Sequence, residues 1–160
     1  MNNPKIPTKE ECIEILNKNK TPSQVIEHCK TVCKFAEEIA DKLISKGINV
    51  NKKLVTAAAL LHDVERVKED HIAEGVKLLK SLGFPEVSQV IGKHSLYKIE
   101  EPERQPKTFE EKIIFYADKR CIGNKVVSIK ERFDGLEKTY NMNLSKEFEF
   151  TKKVEEELMQ

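Results

Sequence analysis

The sequence has no excess of charge of either sign: 28 basic and 27 acidic residues leave a formal net charge of +1 over 160 residues. No global field recruits a polyanion, so a nucleic-acid polymer or an anionic membrane is not an expected partner, although a small anionic ligand could use a local cluster. Long apolar runs are missing too. None approaches the roughly 18 consecutive apolar residues of a membrane span, and the polar start MNNPKIPTKEE lacks the apolar core of a signal peptide. A cytoplasmic protein is expected. The four cysteines, Cys12, Cys29, Cys33 and Cys121, form no C-x-x-C pair, which agrees with a reducing compartment. Cys29 and Cys33, four apart on one helical face, could in principle share a metal, but read as small buried thiols. Tryptophan is absent, glycine and proline occur only six times each, and Lys and Glu abound, a composition that points to a soluble helical protein.

What is present supports one domain, residues 1–160, long enough to bury a single core. Helix starts are legible because S/T-x-x-E/Q capping boxes recur ahead of amphipathic segments. Thr8 with Glu11 opens a first helix over about 9–18. Thr21 with Gln24, and Pro22 at the first helical position, open a second to about residue 46, with Val25, Cys29, Val32, Ala36, Ile39 and Leu43 on one side. A third is expected over 52–64, and residues 65–70 read as a surface loop. A fourth spans 71–82, and a fifth begins at Pro85 with His94 near its end. Residues 96–107, containing YKIEEPERQP, read as a loop and a candidate lid. Thr108 with Glu111 caps a sixth helix leading to Asp118, Ser128 with Glu131 a seventh, and Ser145 a last, highly charged one. No β-alternation of convincing length appears, so the expected fold is an all-α bundle of seven to eight helices.

The chain is organised around LVTAAALLHDV, residues 54–64, an apolar run that ends in His62 and Asp63. Burying an ionisable pair without partners costs several kcal/mol or shifts its protonation. A metal ion compensates both groups, because imidazole and carboxylate are first-row metal ligands. The HD dipeptide alone is weak, since the composition gives about 0.13 by chance. What strengthens it is that the four histidines, His28, His62, His71 and His94, each sit at or near the end or inner face of a different predicted helix. Asp118 adjoins the core-like run IIFYA in the same way.

Neighbours on one helix point about 100° apart, so several helices must contribute to one site. Asp63 and Asp118 are the natural bridges: one ion would take His28, His62, Asp63 and Asp118, and a second would take His71 and His94 and share the aspartates. Two divalent ions about 3.5–4 Å apart hold a hydroxide nucleophilic at neutral pH, which suits hydrolysis of a phosphate ester. Mixed imidazole and carboxylate ligation suits Fe, Mn, Co or Zn.

The order His28, His62-Asp63, His71, His94, Asp118 on consecutive helices resembles the HD-domain metal-dependent phosphohydrolase superfamily. The resemblance covers about residues 22–121, leaving a C-terminal helical extension over about 128–159. AALLHDVER, DHIAEG and EEKIIFYADK resemble the HDIG-type subgroup. The resemblance implies that His28, the dyad and Asp118 bind one metal and that His71 and His94 bind a second, with Asp63 central to catalysis. The chain departs from the subgroup at Val64-Glu65, where Ile-Gly is frequent, and it lacks the HDxxED arrangement of stringent-alarmone hydrolases and the GYP element of cyclic-dinucleotide phosphodiesterases. The ligand order is similar to that of the symmetrical diadenosine tetraphosphatases.

The expected function is hydrolysis of a nucleotide or another small phosphorylated molecule. Lys119, Arg66 and Lys93 are candidates for binding its phosphate, as is Arg120, against a reading as solvated surface cations. Glu74, three residues after His71, reads as exposed. Two rivals keep the site: a di-iron oxygenase acting on a polyol, whose ligand order is similar to that of inositol oxygenases, and a non-catalytic regulator that binds a nucleotide without cutting it.

Overall fold

The computed structural model describes residues 5–159; residues 1–4 and 160, which belong to the polar start and to the expected 1–160 domain, lie outside them. Among the described residues, eight α-helices, one 3-10 turn and one short hairpin make up the fold, so the all-α expectation holds. Helix α1 (Lys9–Lys18) begins as read: Thr8 accepts from the Glu11 amide and the Glu11 side chain reaches back, a complete capping box.

Helix α2 (Ser23–Ser45) begins differently. Pro22 is its N-cap rather than its first residue, and no side chain caps it. The Thr21 hydroxyl instead donates to the Val64 carbonyl at 3.0 Å, and Asn19 Nδ2 donates to the same carbonyl at 3.1 Å and to Glu65 Oε1 at 2.7 Å. The turn between α1 and α2 therefore staples the segment that leaves α3. Glu65, read as part of a surface loop, is buried by this contact, while residues 66–70 are exposed as expected.

Helix α3 (Lys52–Leu61) is capped by the Asn51 side chain, which accepts from the Leu54 amide. It stops one turn short of the expected end. His62 Nδ1 sits 2.7 Å from the Ala59 carbonyl, and the chain continues through i to i+3 bonds, Val64 N to Leu61 O and Arg66 N to Asp63 O. A tightened exit of this kind re-aims the side chains that follow it. α3 is the centre of the fold, in contact with α1, α2, α5 and α6. Ala57, Ala58 and Ala59 are fully buried there, and their small side chains let neighbouring helices approach.

Helices α4 (His71–Ser81) and α5 (Pro85–Ile91) form a hairpin. His94 lies just beyond α5, not within it. Residues 96–107 are largely pinned: Ile99 is buried, Gln105 Nε2 donates to the Ile99 carbonyl at 2.9 Å, and a 3-10 turn occupies Pro102–Arg104. Helix α6 (Phe109–Asp118) opens with the expected Thr108–Glu111 capping box.

Strands β1 (Cys121–Ile122) and β2 (Lys125–Val126) pair antiparallel around Gly123, whose φ is +57°. Two-residue strands are too short for a period-2 signal, and only the Gly-Asn turn could have betrayed them. Helix α7 (Ile129–Tyr140) is capped by Ser128 as read. Helix α8 (Ser145–Leu158) is not capped by Ser145; the Asn143 side chain accepts from both the amide and the hydroxyl of Ser145. α8 packs on α6, where the Tyr116 hydroxyl donates to Glu155 and Arg120 donates to Tyr116. No helix among the described residues is long and apolar enough to cross a membrane.

Candidate metal centre

Six side chains from five parts of the chain converge where α2, α4, α6 and the exits of α3 and α5 meet. The first half of α2 supplies His28, whose Nε2 lies 3.2 Å from Asp118 Oδ1 and 3.8 Å from Asp63 Oδ2. The tightened exit of α3 supplies His62, with Nε2 3.2 Å from Asp118 Oδ1 and 3.5 Å from Asp63 Oδ2. His71, the first residue of α4, and His94, after α5, place their Nε2 atoms 3.8 and 3.5 Å from Asp63 Oδ1. The potential ligand atoms fall into two groups, His28, His62, Asp63 and Asp118, and Asp63, His71 and His94; within each they lie within 4.8 Å of one another.

Asp63 belongs to both groups and divides its oxygens between them. Asp118 does not. Its Oδ2 accepts from Lys119 Nζ at 2.9 Å, so the sharing of both aspartates read from the sequence reduces to Asp63 alone. The ammonium beside Asp118 takes up one of its two oxygens, and His28 and His62 face the other.

The donor set fits divalent transition metals. Nδ1 of His28, His62 and His94 stands 3.3, 2.7 and 2.5 Å from the carbonyls of Gly123, Ala59 and Ile91. An Nδ1–H donated to a backbone carbonyl fixes the tautomer and leaves the Nε2 lone pair facing inward, the arrangement that orients metal-ligating imidazoles. Electrostatics point the same way. Burial opposes the charge on Asp63, but His62 and His94 hold its carboxyl well below the usual range. Burial likewise opposes the charge on Asp118, and Lys119, His28 and His62 outweigh it. Both acids are therefore held in their anionic form. Burial disfavours the cation on His62, yet the adjoining Asp63 charge, Cys29 and Asp118 raise its pKa well above the ordinary value. Burial lowers that of His71, partly offset by Asp63. Two carboxylates set among four imidazoles, with their donor atoms this close together, form a ligand set that fits divalent cations.

The centre forms the floor of a cavity of about 470 Å³. Arg66 lines it, with Nε 4.0 Å from Asp63 Oδ2. Lys119 also lines it, but is buried and donates to both Asp118 and the His94 carbonyl, at 2.9 and 2.7 Å. Lys93 is not on the cavity wall; its ammonium turns to the Glu103 carbonyl in the pinned loop. Arg120 is turned away as well, 3.6 Å from Glu155 and stacked over Phe35 and Tyr116. Glu74 faces Lys68 at 3.9 Å. Cys29 and Cys33 are buried and belong to neither ligand group. Only Leu96 and Tyr97 of the candidate lid reach the cavity.

The cavity is also lined by residues the sequence reading missed: Arg132, Leu136 and Tyr140 of α7. Their spacing of four marks a single helical face. Nothing in the sequence says that this face meets the centre.

The HD domain family's sequence pattern matches residues 25–121. The chain is also similar to a protein of Picrophilus torridus named tRNA (cytidine(56)-2′-O)-methyltransferase, 31% identical over 96% of this chain and 47% of that protein. A protein of the same name from Thermoplasma volcanium is 30% identical over 83% of this chain and 42% of its own length. An uncharacterized protein of Methanocaldococcus jannaschii is 33% identical over 84% of this chain and 87% of its own. The chain thus spans just under half the length of the two methyltransferases it matches. No solved structure is a significant match. The family's span runs from α2 to β1 and takes in all six converging side chains, and the chain belongs to the HD domain family.

Proposed function

We propose that the protein is a metal-dependent phosphohydrolase acting on a nucleotide or another small phosphorylated molecule. One observation carries the reading: two ligand groups share Asp63 at the floor of a cavity of small-molecule size. Two divalent ions held there, Fe, Mn, Co or Zn, would supply Lewis acidity that makes water nucleophilic at neutral pH and neutralises phosphoryl oxygens. The chain's own part is positioning. His28, His62, Asp63 and Asp118 would hold one ion, and Asp63, His71 and His94 the other. Asp63, with one oxygen toward each group, would contribute to both, and backbone carbonyls orient the imidazoles of His28, His62 and His94. Lys119 holds Asp118 in one rotamer. Arg66, exposed at the cavity wall beside Asp63, is placed to meet a substrate oxygen.

The test is phosphate release from a panel of nucleotides and other phosphate esters, metal by metal, with Asp63→Asn as control. The wild-type protein should release phosphate and the variant should not. Equal turnover by the two would remove the mechanism. Oxygen uptake with a polyol, without phosphate release, would point instead to di-iron chemistry, and tight nucleotide binding without turnover to a regulator. The two relatives named as tRNA methyltransferases favour a second reading, in which the phosphorylated substrate is RNA. Short RNAs with terminal phosphates in the same panel separate the two.

A further inference from the structure

We infer that Arg132 of α7 is an anion-binding residue of the cavity and takes a phosphoryl group of the substrate. This rests on the phosphohydrolase reading for the substrate's identity, but the anion site stands on its own geometry. The chain has four arginines. Arg66 lies against Asp63, Arg104 pairs with Glu101 at 2.9 Å, and Arg120 is held by Tyr116, Val127 and Glu155. The Arg132 side chain makes no hydrogen bond or ion pair with any described residue, and its Nε is buried without a partner. A buried, unpaired guanidinium N–H is costly unless a ligand completes it.

Its surroundings say what kind of ligand. Arg132 lines the same cavity as His28, Asp63, His94 and Asp118. It stands on a helix outside the span matched by the HD family, so it is a feature of this chain's C-terminal extension. The guanidinium offers a planar fork of donors that suits two oxygens of one phosphoryl group. One and two turns further along α7, Leu136 and Tyr140 continue the wall, and Tyr140 is 59% exposed at the mouth. The wall therefore offers an anion anchor followed by an apolar and an aromatic surface, which fits a phosphate joined to an organic group.

The probe is inorganic phosphate, titrated into metal-loaded wild-type protein, Arg132→Gln and Arg132→Lys. Wild type should bind it. Arg132→Gln should weaken binding roughly 10- to 100-fold, as expected for losing a charge-assisted contact, and Arg132→Lys should fall between. Metal content should be the same in all three. The thermal midpoint without phosphate should be unchanged or higher in Arg132→Gln, because the buried N–H has no partner to lose. Phosphate affinity unchanged in Arg132→Gln, or absent in wild type, overturns the inference. If Arg132→Gln loses phosphate but wild type hydrolyses no phosphate ester with any metal, the anion site stands and the phosphohydrolase reading falls. If wild type hydrolyses esters and Arg132→Gln leaves both phosphate affinity and KM unchanged, the inference alone falls.

Discussion

Asp63 presents Oδ1 to His94 Nε2 at 3.5 Å, while its other oxygen faces His28 and His62. His94 therefore belongs to the second ligand group, which meets the first only at Asp63. Replacing His94 by Ala should lower the bound metal from two ions per chain to one, leaving the His28–His62–Asp118 group loaded. Elemental analysis of the purified variant reads this directly; a variant that keeps both ions, or loses both, would contradict the division.

Lys119 is buried with Asp118, and its ammonium also holds the His94 carbonyl. Removing one member of a buried pair leaves the other uncompensated, at a cost of about 3–5 kcal/mol. Lys119→Met should show a loss of about that size in denaturant unfolding of chelator-treated protein. A loss below about 1 kcal/mol, the range of surface pairs, would mean the ammonium is dispensable.

Much of this was legible in the sequence, for physical reasons that differ residue by residue. Thr8 and Thr108 reveal their helices because capping is local chemistry, complete within four residues. Thr21 has the same signature and does something else, because the Val64 carbonyl 43 residues away competes for its hydroxyl. The six side chains that converge could be named from their positions at the ends or inner faces of their helices. How Asp118 divides its oxygens could not, since that depends on Lys119 turning back onto it. The exit of α3 departs from the sequence pattern for a similar reason: the apolar residues continue to Val64, but the imidazole of His62 takes up the Ala59 carbonyl. Arg132 carries no local signal, and only the packing of α7 brings it to the cavity.

The capping box of α6 sets the start of the helix that ends at Asp118. Thr108→Ala should cost about 1 kcal/mol of stability in urea unfolding, with metal content retained. Its partner Glu111 is buried and accepts from the amides of Lys107 and Thr108, so Glu111→Ala should cost more. The opposite ranking would show that the glutamate contributes less than its burial implies.

Burial pushes the thiols of Cys12 and Cys33 up to about 12, with Cys33 and Glu37 adding to the respective shifts, and that of Cys121 to about 11, with Asp118 adding to it. These groups keep their protons more tightly folded than unfolded, where a thiol titrates near about 8.5. Their contribution to stability is complete below that value and is lost as pH rises through about 11 to 12. The native protein should thus resist a thiol reagent at pH 8 and lose stability steadily above about pH 9. Rapid labelling of Cys12, Cys33 and Cys121 in the native state would show that they are not enclosed.

Arg66 is half exposed and stands 4.0 Å from Asp63 Oδ2. Arg66→Gln should raise KM for a phosphorylated substrate about tenfold while leaving metal content and fold unchanged. A change confined to kcat would place Arg66 in the reaction rather than in binding.

The central claim is that these six side chains hold divalent metal, and metal content by elemental analysis of protein purified without chelator tests it most directly. Two transition-metal ions per chain in the wild-type protein, lost in Asp63→Asn, is the predicted result. A wild-type protein that carries no such metal and takes up none when it is supplied, or an Asp63→Asn variant with undiminished content, would contradict it.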